Sequence, residues 1–205
     1  GKGISLNSAF TIRQDGIDVK VQRTDPNFKN SEKDLITSIE NSSRDLLSRF
    51  GYKTRRTGFT VGTSYEQFED IYFTPKLSVF QENLETGSKA SASQKKQEGD
   101  YLETNLNYRF TLNKLNQNYQ PSSGYKASFS QTLPLLTDDS ALSNSITFSN
   151  YYPITDEMIF SINFHTKSIN SLTDEDVRLS KRLYLPSRRL RGFESGKIGP
   201  KDGND

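Results

Sequence analysis

The sequence contains no cysteine. That excludes disulfides, thiolate metal sites and cysteine nucleophiles, while leaving the cellular compartment open. It holds a single histidine, His165, so no second imidazole or thiolate exists to share a metal with it. No run of about 18 apolar residues occurs, and no transmembrane helix is encoded. Hydrophobic residues are scarce, at 32%, and the mean hydropathy is −0.76, below the usual balance of a soluble domain. An excess of one charge is missing too. The 27 basic and 25 acidic residues leave a net +2, which gives no general attraction for a polyanion. There is no initiating methionine and no secretory leader at the opening "GKGISLNS", which reads like the middle of a longer protein.

What is present argues for order. Thirteen Phe and ten Tyr are more aromatics than a disordered chain carries. The recurring pattern has a period of two. Leu102, Leu106, Tyr108, Phe110 and Leu112 alternate with Glu103, Asn105, Asn107, Arg109 and Asn113, as in a strand with one dry and one wet face. The same alternation sets Ile4, Leu6, Phe10 and Ile12 against Ser5, Asn7, Thr11 and Arg13. It sets Ile17, Val19 and Val21 against Asp18, Lys20 and Gln22, and Phe59, Val61 and Tyr65 against Thr60, Ser64 and Glu66. Tyr125, Ala127 and Phe129 face away from Lys126, Ser128 and Ser130. Phe160, Ile162 and Phe164 face away from Ser161, Asn163, His165 and Lys167. Weaker runs lie at 71–82 and 145–154, so about nine strand candidates precede the last 37 or so residues.

The connections differ in kind. "DPNFKNSE", "NYQPSSG" and "PITDE" are turn-like, whereas 85–100 is long and polar. Short turns at one end, long loops at the other and apolar/polar alternation match a transmembrane β-barrel. Tyr72, Tyr101, Tyr125, Tyr151 and Tyr152 near strand ends suit an interfacial girdle. The segment 31–50 also reads as a helix, with Leu35, Ile39, Leu46 and Phe50 on one side and Ser31 as cap. A strand is preferred for its first part, because strands flank it. Alternation alone is satisfied equally by a membrane barrel and by a soluble sandwich or ligand-binding barrel.

The stretch "RRLRGFESGKIGP" separates these readings. Arg191-Gly192-Phe193 followed by Ile198-Gly199-Pro200 resembles the loop signature of the outer-membrane assembly barrels, the BamA insertase family (bacterial surface antigen family). "TLNKLNQNYQPSSGYKASFS" at 111–130 is similar to that family's periplasmic turn, and the opening "GKG" to the Gly-x-Gly of an early barrel strand. The resemblance implies an all-β fold: an antiparallel up-and-down meander forming an incomplete transmembrane β-barrel. Residues 1–168 would be barrel strands, and 169–205 a long extracellular loop carrying both motifs. It implies that the loop folds back into the lumen as a plug. Arg191 would hold a carboxylate in two bonds, and Gly192 would allow the backbone to turn. Phe193 would anchor on the wall, and Ile198-Gly199-Pro200 would stiffen the return. The family's partner for the arginine lies in strands that follow the motif; within this chain Glu66 and Glu103 are substitutes.

The function so implied is non-enzymatic: a segment of an outer-membrane barrel that folds and inserts client β-barrel proteins. Its partners would be the outer-membrane bilayer, the client barrels and accessory assembly lipoproteins, with no cofactor and no metal. A related translocation or secretion barrel, a passive barrel and a soluble β-rich binding protein are the alternatives. Arg188, Arg189 and Arg191 form a basic cluster with few interleaved aromatics, which suits a solvated loop better than nucleic acid. "KDGND" at 201–205 lacks the alternating ligands of a calcium loop. The acids of "TDEDV" at 173–177 read as a loop cluster, with a carboxylate pair for glycoside chemistry as the alternative.

Overall fold

The computed structural model describes residues 3–88, 90–137, 140–174 and 176–183. Nine strands occur among them: β1 (Ser5–Arg13), β2 (Gly16–Asp25), β3 (Asp34–Leu46), β4 (Tyr52–Phe68), β5 (Ile71–Thr86), β6 (Gly99–Leu115), β7 (Gly124–Thr137), β8 (Ala141–Pro153) and β9 (Ile159–Ser171). They form one sheet in the order β1-β2-β3-β4-β5-β6-β7-β8-β9, each strand antiparallel to the next. β1 and β9 are its two edges, so the sheet is open. The all-β meander expected from the alternation is present, and the weak runs at 71–82 and 145–154 lie in β5 and β8.

Segment 31–50 resolves into strand and corner. β3 pairs with β2 on one side and β4 on the other, and these ladders outweigh its amphipathic helical pattern. Only Leu47–Phe50 make a single helical turn, closed by Gly51. The connections at 26–33, 69–70, 116–123 and 154–158 share one end of the sheet; those at 14–15, 47–51, 87–98 and the segment after β9 share the other. The turn-like stretches therefore do lie together. Their contrast in length with the opposite end is confined to 87–98 and to the segment following Ser171, because a two-residue turn also sits there.

Register carries the faces across the sheet. Val61, Leu77, Leu106 and Leu133 lie in one row, and Tyr65, Phe73, Phe110, Phe129 and Ile146 in another. The rings of Phe73 and Phe110 stack with centroids 4.6 Å apart. On the opposite face Ser38, Thr60, Ser78 and Asn105 form a row of buried polar side chains, with a 2.9 Å hydrogen bond between the Thr60 and Ser78 hydroxyls.

This sheet is inverted relative to a soluble one. Phe10, Phe59, Leu77, Leu102, Phe160, Ile162 and Phe164 are exposed, while Glu82, Glu103 and Asn105 are buried. Among the described residues no second sheet or helix covers the apolar face, so the soluble-sandwich alternative lacks its other layer. Leu102, Leu106, Phe110, Phe160, Ile162 and Phe164 share the apolar side. Asn105, Asn107, Arg109, Asn163 and His165 share the polar side.

The tyrosine girdle needs correction. Tyr125 and Tyr152 lie on the apolar face, but register puts Tyr72, Tyr101 and Tyr151 on the polar one. Position near a strand end does not fix facing; parity does. β4, β5 and β6 are also long, at 17, 16 and 17 residues, against about 9–11 for a membrane-crossing strand. Towards the end that carries 87–98 their outer faces turn polar, with Thr57, Arg55 and Lys53 on β4 and Gln81, Asn83 and Glu85 on β5. There Lys53 pairs with Glu85 at 2.6 Å and Asn83 bonds Asp100. These strands rise beyond the apolar band, and the charged cluster described next lies on the polar face of that raised rim.

Candidate functional site

The inner parity of β5 reads Tyr72, Thr74, Lys76, Ser78, Phe80, Glu82, Leu84, and that of β6 begins Tyr101, Glu103, Asn105. Antiparallel pairing sets Phe80 beside Glu103 and Glu82 beside Tyr101. Two carboxylates thus stand close together on a wall with little water, and the Glu82 and Glu103 side chains are 4% and 1% exposed. Such a pair persists only if cations compensate it.

Three cations do so. Past β9 the chain turns back over the inner face, and a short helical turn at Leu179–Lys181 delivers two of them. Arg178 Nη1 lies 2.9 Å from Glu82 Oε2 and 2.8 Å from Glu103 Oε1, and the Lys181 Nζ lies 2.9 Å from Glu103 Oε1. The third comes from the wall: Arg56 Nη2 is 3.3 Å from Glu103 Oε2. Each guanidinium also covers a ring, Arg178 over Tyr101 at 3.6 Å and Arg56 over Phe80 at 3.7 Å, as the delocalised cation favours. Phe80 can lie flat because Gly58 faces it. A Cβ there would stand 2.1 Å from Phe80 Cδ1 and 2.6 Å from the Val79 carbonyl oxygen.

Apolar contacts and backbone bonds complete the seat. Leu179, Tyr52 and Leu84 are buried together, with Leu46, Phe50 and Tyr101 packed around them. Leu179 N–H donates to Gln97 Oε1 at 2.9 Å, and Tyr52 Oη donates to the Leu179 carbonyl at 3.4 Å. Gln97 belongs to the β5–β6 connection, which the capping box of Ser91 and Gln94 folds into one helical turn. Both carboxylates are engaged by cations, so the arrangement suits holding a segment in place rather than proton transfer. Among the described residues no group of three or more His, Cys, Asp or Glu could hold a metal ion.

The residues expected to form the plug, Arg191, Gly192, Phe193, Ile198, Gly199 and Pro200, lie outside the described residues, as does 201–205. Of the carboxylates considered for Arg191, Glu103 is at the centre of the cluster. Glu66 is at the opposite end, accepting from the Asp70 N–H at 2.7 Å. Arg109 and His165 face the polar side but stand outside the cluster. Sequence reasoning missed Arg178, Lys181, Glu82 and Arg56. A signal was available in Phe80 and Leu84, two large apolar residues on the polar parity of β5, which mark a place where something packs against the inner wall.

Comparison with known proteins places this geometry. A family model described as the Omp85 superfamily domain matches residues 1–205. The chain belongs to the Omp85 superfamily. Among solved structures, this Omp85 chain is similar to BamA from Haemophilus ducreyi lacking POTRA domains 1-3. The TM-score is 0.85 at 20% sequence identity, over 97% of this chain and 42% of that one. The likeness is one of fold, and the Omp85 chain spans less than half the length of that structure. No curated protein matches it. The open nine-stranded sheet is thus a stretch of Omp85 barrel wall, and its polar face is the face turned to the lumen.

Proposed function

We propose that this chain is barrel wall from an outer-membrane assembly factor, one that folds client β-barrel proteins and inserts them into the outer membrane of a Gram-negative-type envelope. The observation that carries the reading is the inverted sheet, with apolar side chains exposed on one face and polar ones buried on the other, in the fold it shares with BamA. Its partners would be the outer-membrane bilayer and client barrels, with accessory assembly lipoproteins acting alongside. The mechanism is not enzymatic. Unpaired strand groups in lipid cost several kcal/mol each, and a barrel of this kind lowers that barrier by offering backbone partners. The loop expected at 169–205 starts after Ser171, where β9 ends; it is the extracellular loop in this reading, and Arg191, Gly192, Phe193, Ile198, Gly199 and Pro200 are its lumenal plug. The charged cluster under Arg178 supports a loop that starts from the inner wall.

Depletion of the full-length gene product in its own host tests the proposal. Loss of many outer-membrane β-barrels, restored by the intact gene, is expected. Normal barrel content with loss of one secreted protein would replace the reading with that of a secretion transporter.

A further inference from the structure

A second group of cations lies at the same end of the sheet, nearer to β1. Arg13 closes β1 and Arg44 comes near the end of β3, both on the polar parity, while Arg49 stands on the helical turn that follows β3. With Asp15, Phe50 and Ser180 they line a cavity of about 410 Å³. Backbone contacts fix its walls. The Asp45 N–H donates to the Asp15 carbonyl at 2.6 Å, joining the β1–β2 turn to the β3–β4 corner. Gly16 lets the two come that close: a Cβ there would collide with the Ser43 carbonyl oxygen and stand 3.1 Å from Arg44 Nη1. Asp18 Oδ2 holds two of the guanidiniums, 3.2 Å from Arg13 Nη2 and 2.7 Å from Arg44 Nη2. Two groups of the lining are left over. Arg49 is exposed and makes no ion pair or hydrogen bond among the described residues. Ser180 Oγ is shut off from solvent and has no hydrogen-bond partner among them either, although a buried hydroxyl is ordinarily bonded.

We propose that this cavity binds a small monoanion, a carboxylate-bearing compound of the acidic-sugar class, with Arg49 as its gripping residue. Charge and donors set the ligand class. Three guanidiniums face the carboxylates of Asp15 and Asp18, which leaves one positive charge. A single carboxylate neutralises it, whereas a dianionic phosphate would leave an excess of negative charge beside Asp15. The planar fork of Arg49 matches the two oxygens of a carboxylate, and the Ser180 hydroxyl offers a further donor. Leu46 and Phe50 give the cavity an apolar wall for the carbon skeleton of the ligand. The volume falls within the range of about 300–1,000 Å³ usual for small-molecule sites. Arg13 and Arg44 are already held by Asp18, so no long side chain other than Arg49 has to be ordered when the ligand arrives. The assembly reading requires no such ligand, and the site adds one to the wall.

Isothermal titration of the full-length protein in nanodiscs with glucuronate tests the site, with inorganic phosphate and uncharged glucose as comparison ligands. Saturable binding of glucuronate, tighter than that of either comparison ligand, is expected. Arg49→Ala should weaken it by about 10-fold or more, as loss of a charge-assisted bond implies. Ser180→Ala removes a neutral donor and should weaken it by about 2- to 10-fold. Neither side chain is bonded to the wall, so both variants should keep the heat-modifiable gel shift of a closed barrel. Arg55→Ala removes an arginine from the opposite face of β4 at the same end of the sheet and should leave binding unchanged. Absence of saturable glucuronate binding, tighter binding of phosphate than of glucuronate, or equal affinities in Arg49→Ala and Arg55→Ala overturns the site. Binding is read on purified protein, so the outcome is separate from that of the depletion experiment on assembly.

Discussion

Replacing Glu103 by Gln asks the most of the inner-wall cluster, because one carboxylate serves Arg56, Arg178 and Lys181 at once. Breaking a buried pair from one side costs about 3–5 kcal/mol in dry surroundings. Three features reduce that here. Arg178 retains Glu82 at 2.9 Å, the Arg56 side chain is 36% exposed, and the new amide still accepts a hydrogen bond. Losing a charge-assisted hydrogen bond costs about 1.5–3 kcal/mol. We therefore expect Glu103→Gln to weaken the seat of 176–183 by roughly 2–3 kcal/mol, about a 30- to 150-fold shift in local opening. Glu82→Gln removes one ion contact and should cost less, about 1–2 kcal/mol. The assay is limited proteolysis after β9 in the full-length protein in outer-membrane vesicles, with the heat-modifiable gel shift as a check that the barrel is closed. Cleavage should rank Glu103→Gln above Glu82→Gln above native, with the gel shift unchanged. Equal cleavage for both variants, or native-like cleavage in Glu103→Gln, would refute the assignment of Glu103 as the hub.

Other outcomes follow from the same geometry. Gly58→Ala drives a methyl group into the Phe80 ring and the Val79 carbonyl; overpacking of this kind costs about 1–3 kcal/mol, read as a lower unfolding midpoint in detergent. Leu179→Ala empties the contact with Tyr52 and Leu84 and should release the segment by about 2–4 kcal/mol, raising protease sensitivity after β9 without lowering barrel yield. Glu98, in the β5–β6 connection, accepts from Thr86 Oγ1 at 2.7 Å and from Thr86 N–H. These bonds hold its carboxyl below the ordinary glutamate range. A depressed folded value stabilises above the unfolded one, about 4.3, and that contribution is lost as pH falls through the folded value. The protection factor of the Thr86 N–H, which removes the intrinsic pH dependence of amide exchange, should therefore be flat from pH 8 to pH 5 and fall only in more acidic buffer, a fall that Glu98→Gln abolishes.

The sheet was legible because parity is a local property. In β6 every second residue from Leu102 to Leu112 except Thr104 is apolar, and pairing transmits that parity to its neighbours without further information. The tyrosines were misjudged where position along a strand was used in place of parity: Tyr101 is adjacent to Leu102 and must point the other way. Segment 31–50 was ambiguous because Leu35, Ile39 and Leu46 suit a helix, and only the ladders on both sides of β3 decide it. The inner-wall cluster was far less legible. Arg178 and Glu82 are 96 residues apart in the chain, and nothing local in "DVRLSK" distinguishes a buried arginine from a solvated one. The clue lay on the receiving side, where Phe80 and Leu84 break the polar face of β5.

The account stands on the claim that this sheet separates lipid from a hydrated lumen. Labelling of single cysteines at Leu106 and Asn107 in the full-length protein, in native outer membranes, tests that claim most directly; this chain has no cysteine of its own to interfere. The two positions are neighbours on β6 with opposite facing. A small water-soluble maleimide should modify Asn107→Cys and leave Leu106→Cys largely unreacted, because only the thiolate attacks and a thiol facing hydrocarbon stays protonated. Equal reaction of both positions with the water-soluble reagent would contradict the barrel wall itself.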